Sequence, residues 1–133
     1  MASCGCPLFV PLVENGFVDK DDEIVRLVIK KYLTPLMEQG VDTIILGCTH
    51  YPIIKDAISA VVGDNVHLVD SGKETAIYAK KVLQEKNLLN TSQNKGKCDF
   101  FVSDTPIGFE DIGGVFLGED VHHQVQQINI ELY

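Results

Sequence analysis

A thiol, a hydroxyl and an imidazole follow one another directly after an apolar run in the middle of the sequence. The run is residues 44–46, and Cys48, Thr49 and His50 come after a single glycine. A thiol two residues from an imidazole can act as an acid and a base, because the imidazole can take up or return the thiol proton. The residue types leave a second interpretation open, in which Cys48 is a small buried side chain and Thr49 caps the next helix.

Short apolar runs alternate along the chain with segments of helical periodicity, which is typical of stacked βα units. We predict strands at residues 8–13, 41–46, 66–69, 99–102 and 126–132. We predict helices at residues 22–37, 52–62, 71–86 and 106–116. This order indicates an α/β fold, with a largely parallel sheet covered by helices on both faces.

Ligands of parallel α/β sheets bind beyond the carboxyl ends of the strands, where Cys48 is expected to lie. Glu14 ends the predicted strand 8–13, so it could share that edge, although a single Glu at such a position is often only solvated. Ser71 and Glu74 form an S-x-x-E pattern that predicts a capping box for the following helix. The pair His122-His123 lies in a polar segment and is most simply solvated.

Composition limits the possible functions. The 133 residues, 45% of them hydrophobic, fit one domain or a piece of a larger protein. The net charge of -8 disfavours nucleic acid or an anionic membrane surface as a partner. No apolar stretch reaches the roughly 18 residues needed to span a bilayer, and the first residues do not resemble a signal peptide, so we expect a cytoplasmic protein with reduced thiols.

Four segments of the chain, in the same order, closely resemble glutamate racemase, a member of the aspartate/glutamate racemase superfamily. The segments are Cys6-Pro7-Leu8-Phe9-Val10-Pro11-Leu12-Val13-Glu14, Leu46-Gly47-Cys48-Thr49-His50-Tyr51-Pro52, Val69-Asp70-Ser71 and Phe100-Phe101-Val102-Ser103-Asp104. The second segment separates this family from the aspartate racemases, which differ after the Cys-Thr pair. The resemblance runs along nearly the whole chain.

The resemblance implies an isomerase that interconverts L-glutamate and D-glutamate without a metal or other cofactor, and that supplies D-glutamate for bacterial peptidoglycan. In the family, two cysteines lie on opposite faces of the substrate: one thiolate removes the α-proton, and the other thiol delivers a proton to the far side. By motif, Cys48 is one of these acid/base groups and Thr49 contributes to glutamate binding. His50 and Glu14 are the groups expected to assist Cys48.

Only the carboxyl-terminal half of the family pattern is present in this sequence. The preceding half carries an Asp-Ser-Gly strand end, the other catalytic cysteine followed by Asn-Thr, and an assisting Asp. We therefore expect residues 1–89 to form most of the second three-layer α/β lobe, 90–97 to be a linker loop, and 98–133 to be a βαβ segment that returns to the first lobe. Such a chain would hold half of an active site, be inactive alone, and form a homodimer or pair with the missing amino-terminal half.

Two other functions stay open on the residues alone. One is a non-catalytic module that binds a small carboxylate or assembles with another half. The other is a zinc-binding domain that uses Cys4, Cys6, Cys48 and His50, although Cys-x-Cys departs from the usual Cys-x-x-Cys spacing of structural zinc sites.

Overall fold

The structure is a computed structural model that describes residues 1–94, 96–118, 121 and 125–132. The chain divides into two compact units, Met1–Asn90 and Thr91–Tyr133. Each unit contains helices and a pair of parallel strands, which confirms the predicted α/β class. None of the helices in the described part of the chain is long and apolar enough to cross a membrane.

The first unit contains four α-helices and one pair of strands. In chain order the elements are α1 (Phe9–Glu14), α2 (Glu23–Met37), β1 (Thr43–Leu46), a 3-10 helix (Tyr51–Ile54), α3 (Lys55–Val62), β2 (His67–Asp70) and α4 (Ser71–Glu85). Strands β1 and β2 pair in parallel, with Thr43 opposite His67 and Leu46 opposite Asp70. The register places the carboxyl ends of both strands side by side.

The segment predicted as the first strand is the helix α1. Phe9 and Val13 are four residues apart and therefore lie on one face of the helix, and both side chains are buried. Pro11 lies in the first turn, where a backbone N–H would have no partner within the helix. The strand prediction was wrong because a short apolar run fits a buried helix as well as a buried strand.

Helix α2 agrees with the helix predicted over residues 22–37. The Asp22 carboxylate accepts hydrogen bonds from the backbone N–H groups of Ile24 at 2.7 Å and Val25 at 3.2 Å, so Asp22 is the N-cap. The apolar face of the helix is buried through Val25, Ile29 and Leu33. These side chains recur every four residues, as a helix facing a core requires.

The start of α4 differs from the predicted capping box. Asp70 is the N-cap, because its carboxylate accepts a hydrogen bond from the backbone N–H of Lys73 at 3.0 Å. Ser71 is therefore the first helical residue rather than the cap, and the predicted pairing of Ser71 with Glu74 was wrong. The Ser71 hydroxyl instead donates to the backbone carbonyl of Leu46 at 3.2 Å.

Helix α4 contrasts with the core of the first unit. The core consists of buried apolar side chains from α1, α2, the 3-10 helix, α3 and the strands. None of the residues of α4, all of which are described, is buried, and Ile77, Tyr78 and Leu83 are exposed apolar side chains. The apolar face of this helix is thus left largely in contact with solvent.

The second unit contains β3 (Phe100–Val102), α5 (Pro106–Leu117), β4 (Val125–Gln127) and a 3-10 helix (Ile130–Leu132). Strands β3 and β4 pair in parallel. The predicted strand 126–132 was too long, because the Asn129 side chain accepts a hydrogen bond from the backbone N–H of Glu131 at 3.0 Å and turns the chain. His122 and His123 lie outside the described residues.

Candidate active site

Cys48, Thr49 and His50 lie in the loop that joins β1 to the first 3-10 helix. The backbone N–H of Tyr51 donates to the carbonyl of Cys48 at 3.2 Å, which closes this loop into a turn. Cys48 is half-buried, and Thr49 is exposed. The loop therefore presents the thiol at the carboxyl edge of the β1–β2 pair.

Glu14 meets His50 across 36 residues of sequence. Glu14 is the last residue of α1, and its Oε1 lies 3.1 Å from His50 Nε2. The side chains are 22% exposed for His50 and 43% exposed for Glu14, so the pair borders solvent. Because an ionised carboxylate only accepts hydrogen bonds, this contact places a hydrogen on Nε2.

The other ring nitrogen of His50 faces the loop residues. Nδ1 lies 3.3 Å from Thr49 Oγ1 and 3.9 Å from Cys48 Sγ. With the hydrogen on Nε2, a neutral imidazole offers Nδ1 as an acceptor for the hydroxyl or the thiol. The order carboxylate, imidazole, thiol is the arrangement that proteins use to orient a base beside a proton-carrying sulfur.

Tyr51 connects the loop to α1 and was given no role by the sequence. Its ring packs edge-on against Phe9, with ring centroids 5.1 Å apart. Burial, and to a lesser extent the thiols of Cys6 and Cys48, raise the pKa of the Tyr51 hydroxyl, so the hydroxyl stays protonated at neutral pH. The only available signal was the position of Tyr51 inside the Leu-Gly-Cys-Thr-His-Tyr-Pro segment.

The remaining cysteines have different environments. Cys6 is 5% exposed, and burial together with the neighbouring Cys4 thiol raises its pKa from 9.0 to about 12, while the Tyr51 hydroxyl acts in the opposite direction. Cys6 is therefore a protonated core thiol at neutral pH. Cys4 and Cys98 are exposed.

The structure does not gather the predicted zinc ligands. Among the residues that the structure describes, no three His, Cys, Asp or Glu side chains lie in an arrangement that could hold a metal ion. Cys4 instead directs its thiol to the backbone carbonyl of Tyr32 at 3.4 Å. The zinc interpretation of Cys4, Cys6, Cys48 and His50 thus has no support in the geometry.

Residues 3–79 match the model of the Asp/Glu/Hydantoin racemase family. The match covers more than half of the chain, and the chain belongs to this family of racemases, which are isomerases of amino acids and related compounds.

Among its curated relatives are glutamate racemases from two bacteria. The enzyme of Geobacter metallireducens is 44% identical over 126 residues, which is 95% of this chain and 46% of that protein. The enzyme of Neisseria meningitidis serogroup A is 44% identical over 124 residues, which is 93% of this chain and 44% of that protein. The chain thus spans about half the length of the curated relatives it matches.

Solved structures agree with these relatives. The chain is similar to the glutamate racemase of Francisella tularensis in complex with D-glutamate, with a TM-score of 0.82, 35% identity, and coverage of 98% of this chain and 48% of that chain. The glutamate racemase of Thermus thermophilus in complex with beta-chloro-D-alanine gives a TM-score of 0.84, 37% identity and the same coverage, 98% and 48%. The predicted resemblance to glutamate racemase and the predicted fold are both confirmed.

Proposed function

We propose that this chain is the carboxyl-terminal part of a cofactor-independent glutamate racemase and that Cys48 is one of its two acid/base groups. The observation that supports this most is that His50 contacts both Glu14 and Cys48 and so joins α1 to the loop after β1. Glu14 Oε1 lies 3.1 Å from His50 Nε2, and Cys48 Sγ lies 3.9 Å from His50 Nδ1. The similarity to glutamate racemases supplies the substrate. An enzyme of this kind would act in the cytoplasm on free glutamate.

The reaction requires one proton to leave the α-carbon and one to arrive on the opposite face. In one direction the Cys48 thiolate removes the α-proton and becomes a thiol, which leaves a carbanion on the α-carbon. A thiol on the other face then donates its proton to that carbon and becomes a thiolate. In the reverse direction Cys48 donates, so the same sulfur must serve as base and as acid.

The neighbours of Cys48 have roles that fit this cycle. His50 Nδ1 is close enough to accept the thiol proton when the thiolate forms and to return it afterwards. Glu14 holds the imidazole through Nε2 and thereby keeps Nδ1 turned toward the loop. Thr49 is exposed beside the thiol, and we assign its hydroxyl to the binding of a glutamate carboxylate.

By itself this chain should not racemise glutamate, because the second acid/base thiol is not assembled at Cys48. Cys6 is buried and has a pKa raised to about 12, which makes it a poor base at neutral pH. Cys4 directs its thiol to a backbone carbonyl. The missing thiol would come from the amino-terminal half of a racemase.

We assign the exposed apolar side chains of the first unit to this pairing. Ile45 on β1 and Ile77 and Tyr78 on α4 are exposed. Burying these apolar side chains against a partner would be favourable, because it would remove their surface from water. The relatives are about twice as long as this chain, so a half-length partner is available in the family to cover them.

The test uses circular dichroism of L-glutamate solutions, which reports loss of optical activity. The chain is incubated alone and with a separately produced polypeptide, namely the part of the Geobacter metallireducens enzyme that this chain does not match. We expect no racemisation by the chain alone and measurable racemisation by the mixture. The activity of the mixture should be lost with Ile77→Asp, which weakens pairing. It should be retained with Lys80→Ala on the same helix. If the chain alone racemises glutamate and sediments as a dimer, a second copy of the chain, rather than an amino-terminal half, completes the site.

A non-catalytic module is the second candidate, and the single thiol assembled at the site favours it over a complete enzyme. In that case the chain would bind glutamate measurably by calorimetry, with binding weakened by Thr49→Val. The mixture with the complementary half would then remain without racemase activity.

A further inference from the structure

The pairing of β1 with β2 stops at the point where the site begins. Leu46 and Asp70 are the last register partners, and the chain turns into α4 at Ser71. Ser71 is therefore next to the last ladder pair, and its side chain lies beside the end of β1. The Ser71 hydroxyl donates a hydrogen bond to the Leu46 carbonyl oxygen at 3.2 Å.

The bond is made two residues before Cys48. Gly47 separates Leu46 from the thiol residue and has no side chain to hold the loop. Within the described part of the chain, a Cβ added at Gly47 would meet no atom within 4 Å. The side of the loop that precedes Cys48 is therefore held through Leu46, whose side chain is buried.

The other side of the loop is held separately. The Tyr51 N–H bonds the Cys48 carbonyl at 3.2 Å, and His50 contacts Glu14 at 3.1 Å. The Glu14 contact fixes the imidazole and the Tyr51 bond closes the turn that follows Cys48, but neither of them contacts the end of β1 that precedes Cys48. The 3.9 Å distance between Cys48 Sγ and His50 Nδ1 is close to the limit of a sulfur hydrogen bond, so a small shift of the strand end would break it.

We infer that Ser71 is a positioning residue for Cys48: by donating to the Leu46 carbonyl, its hydroxyl holds the end of β1 so that the thiol stays within reach of His50. The inference rests on the proposed role of the Cys48–His50 pair. Asp70 accepts the capping hydrogen bond of α4, and the Ser71 hydroxyl donates to the strand.

The test measures alkylation of Cys48 by iodoacetamide in the intact chain, resolved from the other cysteines by peptide mass spectrometry. The rate is taken at pH 7, where the thiol depends on a nearby base, and at pH 10, where thiols ionise without help. The ratio of the two rates reports the His50-assisted state, because the rate at pH 10 corrects for any change in access to the sulfur.

Ser71→Val and Ser71→Thr form a matched pair, since the two side chains have nearly the same shape and only Thr keeps the hydroxyl. We expect the pH 7 to pH 10 ratio to fall about three- to tenfold in Ser71→Val, the range that loss of one hydrogen bond produces. Ser71→Thr should retain the wild-type ratio. Thr75→Ala, which removes a hydroxyl bonded to the Ser71 carbonyl at 2.7 Å, should also retain it.

Two further variants keep the result decisive. If Ser71→Val fails to fold by circular dichroism, Ser71→Ala replaces it and the same fall is expected. An unchanged ratio in the folded variant, while His50→Asn lowers the ratio, would overturn the role of Ser71 and leave the proposed pair intact. An unchanged ratio in both would overturn the pair and with it the role of Ser71.

Discussion

The two units of this chain differ in how they treat their aromatic side chains. In the first unit Phe9 is 1% exposed and has Tyr32 and Tyr51 packed edge-on against it, with ring centroids 5.6 and 5.1 Å away. In the second unit Phe101 is 55% exposed, and Phe109 is also exposed although its ring lies 6.0 Å from that of Phe100. Phe9 is thus part of a core, whereas Phe101 and Phe109 lie at the surface of the second unit.

The candidate site lies in the unit with the better packed core. The first unit places Glu14 on α1, and Cys48 and His50 in a loop between the buried side chains of Leu46 and Ile54, as a preorganised site requires. Among the described residues of the second unit, Val121 is the one fully buried apolar side chain. A segment of this size with so small a core gains little stability from its own packing.

The largest expected effect comes from removing a buried aromatic side chain from the core of the first unit. Phe9→Ala should lower the free energy of unfolding by roughly 3–5 kcal/mol, because it removes a buried ring and leaves a cavity. Phe101→Ala, its exposed counterpart, should cost less than about 1 kcal/mol. Urea unfolding followed by tyrosine circular dichroism measures both, and equal losses would show that the two units are equally well packed.

A smaller effect should come from the buried thiol. The pKa of Cys6 is raised from 9.0 to about 12 in the folded chain, so the thiol contributes stability below pH 9 that is lost as the pH rises toward 12. The loss should be roughly 1–4 kcal/mol.

Unfolding measured from pH 8 to 11 checks this linkage. The difference in stability between the wild type and Cys6→Ala should shrink as the pH rises, because Ala has no proton to lose. Cys98→Ala, which removes an exposed thiol of the second unit, is the control and should leave the pH dependence unchanged. If Cys6→Ala keeps the full pH dependence of the wild type, that dependence comes from groups other than Cys6.

The smallest expected effect is the difference between two helix N-caps, one in each unit. The Asp22 carboxylate accepts two backbone hydrogen bonds at the start of α2, whereas Thr105 makes no side-chain cap bond at the start of α5. Asp22→Ala should therefore cost about 1 kcal/mol and Thr105→Ala a few tenths of that. Thermal unfolding of the two variants side by side measures the difference, and a larger loss for Thr105→Ala would reverse it.

Elements with a strong local signal could be predicted from the sequence. Helix α2 combines an Asp N-cap with apolar residues every three or four positions, and the structure has both. Helix α1 was predicted as a strand because six apolar residues carry no clear period, and only the packing of Phe9 and Val13 decides between the two. Local competition explains the capping error, since Asp70 and Ser71 are both good caps.

The contacts of the candidate site depended on packing that spacing does not reveal. Glu14 was expected near His50 as a residue at a strand end, and it reaches His50 from the end of a helix. The contact between Ser71 and Leu46 joins positions 25 residues apart and depends on the register of β1 and β2. Motif resemblance gave roles to Cys48, Thr49, His50 and Glu14. Ser71 and Tyr51 lie in the same motif segments, but the resemblance assigned them no role.

The most direct measurement of the proposed function follows the α-proton itself. Glutamate is incubated in D2O with the chain and the complementary half of the Geobacter metallireducens enzyme, and deuterium at the α-carbon is measured by NMR. We predict incorporation by the wild-type chain and by Cys6→Ala, with the rate lowered at least about 100-fold in Cys48→Ser because a general acid/base is removed. Incorporation at the wild-type rate in Cys48→Ser would contradict the assignment of Cys48 as the proton-transferring group.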